Sequence, residues 1–185
     1  MTVTNGLLVI NKPKDVTSRD VVNEVSKILK TKKIGHTGTL DPIATGVLVL
    51  TVGKATKLSE IITSEEKVYQ AEVILGVKTD TLDVTGNILD EYNTNYKEED
   101  IIKVLNSFIG TYNQEVPIYS AVKIKGKKLY EYARNNEEVT LPKRMVTIKD
   151  IKLDELNYFD NKTVFKFTCK VSKGTYIRSL INDIA

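Results

Sequence analysis

The stretch Gly35-His36-Thr37-Gly38-Thr39-Leu40-Asp41-Pro42-Ile43-Ala44-Thr45-Gly46 gathers three of the ten glycines, the only histidine and an aspartate. Glycine at that density predicts a loop with unusual backbone angles. A carboxylate carried on such a loop beside a buried strand can be held rigidly and still face a cleft. Proline at position 42 pushes Asp41 toward an extended conformation, which suits an aspartate presented outward. The same pattern is also that of an Asp-Pro turn that does no chemistry. A second candidate is Thr79-Asp80-Thr81-Leu82-Asp83, whose spaced aspartates could join Asp41 around a divalent cation for phosphoryl transfer. No glycine-rich phosphate loop and no further carboxylate cluster complete that arrangement, so it carries little weight. A third is the segment 117–144, where seven basic side chains face three acidic ones and tyrosines are interleaved, the pattern of a nucleic-acid surface. Residues 80–100 are the reverse, seven acids against one lysine, and read as a solvated face.

These residues need elements to position them. Gly6 to Ile10 and Val47 to Val52 read as buried strands flanking a helix that Thr17 or Ser18 caps. Val21, Val22, Val25, Ile28 and Leu29 give that helix its apolar face, and Lys30, Lys32 and Lys33 are expected to close it. Ala55 to Ile62 suggests a short helix with Leu58, Ile61 and Ile62 inward. Lys67 to Gly76 reads as a strand with Tyr69, Ala71, Val73 and Leu75 on one face, so Tyr69 reads first as a half-buried strand aromatic. Ile101, Ile102, Leu105, Phe108 and Ile109 mark an amphipathic helix, and Pro117 to Lys123 is extended. Lys125-Gly126-Lys127 is a tight turn, followed by a short helix around Leu129, Tyr130 and Ala133. A strand begins at Arg144, and Phe165, Phe167, Cys169 and Val171 alternate as a half-buried strand in which Cys169 is a small core side chain. Thr175 can cap a last helix with Ile177, Leu180, Ile181 and Ile184 on its apolar face. Strands and helices follow one another without regular alternation, which makes the fold α+β.

Composition sets the outer limits. The chain has 185 residues, 41% hydrophobic and 28% charged, with a formal net charge of +3. That is globular composition, and no apolar run approaches the ~20 residues of a membrane span. The amino terminus shows no basic segment leading into an apolar one. A single cysteine excludes an internal disulfide and fits a reducing compartment, so a cytoplasmic location is expected. One histidine and one cysteine cannot build a zinc site of the usual type.

The loop also resembles the active-site motif of the tRNA pseudouridine synthase B family: Gly-His-Thr-Gly-Thr-Leu-Asp-Pro, one variable residue, then Ala-Thr-Gly. Other segments carry the same resemblance. Lys12, Pro13, Thr17 and Ser18 match its first motif, with Asp15 where a glycine is usual. Lys67 and Tyr69 match its Lys-x-Tyr, 79–83 a further signature, and Gly174-Thr175-Tyr176-Ile177-Arg178 its last motif residue for residue. Segment 117–144 resembles the family's thumb, with Val116 standing where a second proline is usual.

The resemblance implies the pseudouridine synthase fold, a mixed, largely antiparallel sheet flanked by helices. It covers nearly all of the chain, which is read as one catalytic domain, 1–185, with a thumb-like insertion at 117–144. It further implies a shortened chain, stopping in mid-helix at Ala185 without the family's small C-terminal RNA-binding domain. The implied reaction is isomerisation of uridine to pseudouridine at position 55 in the T arm of tRNA, by a monomer needing neither metal nor organic cofactor. Asp41 is the implied nucleophile. Arg178 pairs with it, Tyr69 and Tyr176 hold the flipped base, and His36 fills the position the base vacates. Lys12, Lys123, Lys125, Lys127 and Lys128 bind the RNA. The alternative is a tRNA-binding or chaperone module without turnover.

Overall fold

The computed structural model describes residues 5–63 and 66–185. Residues 1–4, read above as lacking a leader pattern, lie outside them. The chain divides into two compact units, residues 1–65 and 66–185.

The first unit holds a three-stranded antiparallel sheet in the order β1-β3-β2, with β1 at Gly6–Lys12, β2 at Ile34–His36 and β3 at Gly46–Val52. Helix α1, Ser18–Ile28, closes one face of it through Val22 and Val25, which pack with Ile34, Leu48, Leu50 and Val52. Thr17 is its N-cap in a reciprocal capping box with Asp20, worth about 1 kcal/mol. The helix ends earlier than expected. Leu29 is its C-cap and Lys30 turns to φ 50°, so the run Lys30, Lys32, Lys33 lies beyond the last turn. A 3₁₀ turn, Gly53–Leu58, leads into α2, Ser59–Thr63. Leu58 and Ile61 are exposed there, not inward as the pattern suggested.

The second unit is built on a four-stranded antiparallel sheet in the order β4-β11-β10-β7. Its strands are β4 at Lys67–Ile74, β7 at Gly110–Glu115, β10 at Lys143–Phe159 and β11 at Lys162–Val171. The expected alternation on β11 holds: Phe165, Phe167, Cys169 and Val171 are buried and form the core with Val73, Ile148 and Ile151. Helix α3, Glu98–Ser107, adds Ile101 and Leu105, and α5, Ile177–Ile184, adds Leu180 and Ile184. Burying each phenylalanine contributes roughly 1.5–3 kcal/mol. Burial pushes the Cys169 thiol up to about 11, in keeping with an inert core residue. Two hairpins complete the unit: β5, Val77–Thr79, with β6, Ile88–Glu91, and β8, Lys123–Ile124, with β9, Lys127–Lys128. Helix α4, Leu129–Arg134, follows the second hairpin. Among the described residues every strand pair is antiparallel, and no helix is long and apolar enough to cross a membrane.

Candidate active site

In the first unit, the segment between β2 and β3 is anchored by its main chain. The Thr37 amide donates to Val49 O at 3.0 Å. The buried Ser18 hydroxyl accepts from Leu40 N at 3.0 Å and lies 3.3 Å from Leu40 O. Asp41 O accepts from Ala44 N at 3.0 Å, closing a turn directly behind the carboxylate. Pro42 O accepts from Asp15 N at 2.8 Å and from the Lys12 ammonium at 3.2 Å.

Lys12 has no exposed surface. Its other ammonium contacts are Pro13 O at 2.8 Å and Val16 O at 2.7 Å, so three donors meet three carbonyls. Burial draws its pKa below the usual lysine value, while the Asp15 and Asp41 carboxylates work against that shift. Lys12 was expected on the RNA. The structure commits its charge to the main chain under Asp41, because desolvating an ammonium demands partners on every side.

Asp15, which stands in the family's glycine position, has φ 65°, the left-handed region where glycine is at ease. Two of the three glycines of the loop serve different ends. Only Gly46 has a positive φ, 121°. Gly35 sits in a tight spot, where an added Cβ would lie 3.1 Å from Thr51 Oγ1. His36 is half-buried, with Nδ1 2.6 Å from Gly38 O, and that distance assigns the proton to Nδ1.

In the second unit, Tyr69 lies on β4 opposite Cys169, half-buried against the core. Arg178 is in the first turn of α5. Its Nη1 donates to Thr81 O at 2.9 Å and its Nη2 to Tyr119 O at 3.1 Å, and Asp83 Oδ2 is 3.9 Å from Nη1. Both side chains are only 11–12% exposed, so this ion pair is better shielded than a surface one. Burial alone would raise the Asp83 carboxyl. Hydrogen bonds from Thr85 and Thr81, with the Arg178 charge, outweigh it and hold the pKa below the usual carboxylate value.

Asp80 takes the Asn87 amide at 2.9 Å and its side chain at 3.0 Å. The segment 79–83 therefore builds a turn that seats Arg178, and among the described residues no group of three His, Cys, Asp or Glu side chains could hold a metal ion. Asp41 belongs to the first unit and Arg178 to the second. Sequence reasoning missed Asp83, Thr81 and Tyr119 as the seat of Arg178; two of the three act through main-chain carbonyls, which no residue type announces. Tyr176, not Thr175, caps α5, and the Thr175 hydroxyl donates to Ser172 O at 2.9 Å.

The basic segment keeps its predicted turn and short helix, but 118–121, expected to be extended, bend, with Ser120 N donating to Ile118 O at 2.9 Å. Lys125 at φ 50° and Gly126 at φ 84° make the two-residue turn between β8 and β9, as a primed turn requires. Lys123 and Lys125 are exposed. Lys127 pairs with Glu137 at 2.5 Å and lies over the Tyr132 ring, while Lys128 reaches the Tyr130 hydroxyl at 3.0 Å. Two of the four lysines are thus half-buried and oriented by tyrosines.

The family described as TruB family pseudouridylate synthase (N terminal domain) matches residues 26–177. The chain is 50% identical over 181 residues to tRNA pseudouridine synthase B of Bacillus subtilis (strain 168), covering 96% of this chain and 59% of that protein. It is also 50% identical over 184 residues to tRNA pseudouridine synthase B of Staphylococcus aureus (strain MRSA252), covering 97% and 60%. The chain thus spans about 60% of the length of these curated relatives. A crystal structure of a Cbf5-Nop10-Gar1 complex contains a chain that is 31% identical with a TM-score of 0.64, over 95% of this chain and 43% of that one.

Proposed function

The chain belongs to the TruB family of pseudouridylate synthases, and on that premise we propose that it carries the catalytic part of an enzyme converting uridine to pseudouridine at position 55 in the T arm of tRNA. The relatives named tRNA pseudouridine synthase B support the substrate. The observation that carries the chemical reading is the anchoring of the Asp41 segment through Thr37, Leu40, Pro42 and the buried Lys12. A carboxylate whose main chain is fixed on both sides is preorganised for attack.

In this reading the target base leaves the stacked loop at a cost of roughly a few kcal/mol. His36 takes the place it vacates. Tyr69 and Tyr176 hold the base, and Asp41 acts as nucleophile while the glycosidic bond breaks, the base rotates and a carbon–carbon bond forms. The family resemblance makes Arg178 the partner of Asp41, a task for which a planar guanidinium is better suited than an ammonium. Lys123, Lys125, Lys127 and Lys128 grip phosphates, which sets affinity without reading sequence. The whole is a one-substrate isomerisation by a monomer, with side chains as its only catalysts.

The experiment is incubation of the full-length protein with a T-arm stem-loop, followed by chemical labelling and mass-shift detection of pseudouridine. A labelled product at the target uridine is expected. Tight binding of the stem-loop without any mass shift would overturn the enzymatic reading in favour of a binding module.

A further inference from the structure

Gln114 lies on β7 without exposed surface, and its carboxamide is fully engaged. Its Oε1 accepts from Tyr176 N at 2.8 Å, and its Nε2 donates to Tyr176 O at 3.1 Å and to the Tyr112 hydroxyl at 2.7 Å. A side-chain amide that takes both the N–H and the C=O of one residue mimics a strand partner. It fixes that residue in rotation as well as in place.

The residue so held is the N-cap of α5, which has no side-chain cap of its own. Neighbours on the same face extend the arrangement. Arg144, directly opposite Gln114 in the β7–β10 ladder, has its guanidinium carbon 5.8 Å from the Tyr176 ring centroid. Tyr112, two residues earlier on β7, donates to Asp183 near the far end of α5 at 3.2 Å. One strand thus grips α5 at both ends, and Arg178 lies between them.

We infer that Gln114 is a positioning residue for the reaction: it sets the backbone of Tyr176, and through it the ring of Tyr176 and the first turn that carries Arg178. This rests on the reading of Tyr176 and Arg178 as groups of the active site. Gln114 acts through them and touches no substrate.

The test compares Gln114→Leu, which removes all three bonds, with Gln114→Glu, which keeps an oxygen for Tyr176 N. Amide hydrogen exchange at Tyr176 is read against amides of the β10–β11 ladder in the same sample. In the Leu variant Tyr176 should exchange about tenfold faster or more relative to the ladder. In the Glu variant it should stay protected. Tyr176 and ladder amides that change in parallel in the Leu variant, or loss of Tyr176 protection in the Glu variant, would overturn the inference. The Glu variant is decisive even if the Leu variant does not fold.

Kinetics on a T-arm stem-loop give the functional arm. The Leu variant should lose about tenfold or more in kcat while its RNA affinity stays within about twofold. A parent chain without turnover would refute the proposed function and leave the exchange result standing. A Leu variant with the parent kcat would refute the role of Gln114 alone.

Discussion

The segment that carries Asp41 and the seat of Arg178 are held by opposite means. In the first unit the anchors are main-chain groups of Thr37, Leu40 and Pro42, gripped by Ser18, Val49, Asp15 and Lys12. In the second, Arg178 is held by its own guanidinium, on Thr81 O, Tyr119 O and Asp83. The first design fixes the main chain on either side of the carboxylate. The second makes the functional group its own anchor, so placement and charge change together.

The largest effect should come from breaking the support under Asp41. Lys12→Met removes a buried ammonium from three main-chain carbonyls, and we expect a loss of about 2–4 kcal/mol in thermal or denaturant unfolding. A change under about 0.5 kcal/mol would mean that the lysine does not hold the segment.

Asp83→Asn sharpens the other side. The Asp83 pKa is lowered by folding, so its contribution is present above the ordinary carboxyl range and is lost as pH falls through the folded value. The variant should therefore be about 1–2 kcal/mol less stable than the parent at neutral pH, with the gap closing under acid. A gap that is constant from neutral to acid pH would show that charge at Asp83 is not what matters.

The basic segment gives the smallest effect and a contrast within itself. Lys125 is exposed, whereas Lys127 is already paired with Glu137. In a filter-binding titration, Lys125→Ala should lower the log–log salt slope by about 0.7–0.9, and Lys127→Ala by less. Equal slopes for both variants would remove the distinction, and slopes unchanged from the parent would place the RNA elsewhere.

What could be read from sequence follows physical range. Period-2 alternation from Phe165 to Val171, the Lys125-Gly126 turn and the Thr17 cap are local, and all three appear in the structure. The burial of Lys12 was not legible, because lysine is normally exposed and one of its carbonyl partners, Pro42, is thirty positions away. The end of α1 was misplaced because a basic run suits a helix terminus whether it lies just inside or just outside it. Gln114 was invisible, because a polar residue in a strand gives no hint that its partner is sixty-two positions distant. The candidate site residues rest on family resemblance, while the groups that hold them are tertiary.

In the proposed reaction Asp41 is the nucleophile, and the main-chain anchors around it hold its segment in place. The most direct measurement is pseudouridine formation in a T-arm stem-loop by the parent and by Asp41→Asn, with unfolding and RNA binding followed in the same preparations. The near-isosteric amide keeps the main-chain anchors, so the account predicts a folded variant that binds RNA and forms no pseudouridine above background. Turnover by the Asn variant near the parent rate would contradict it.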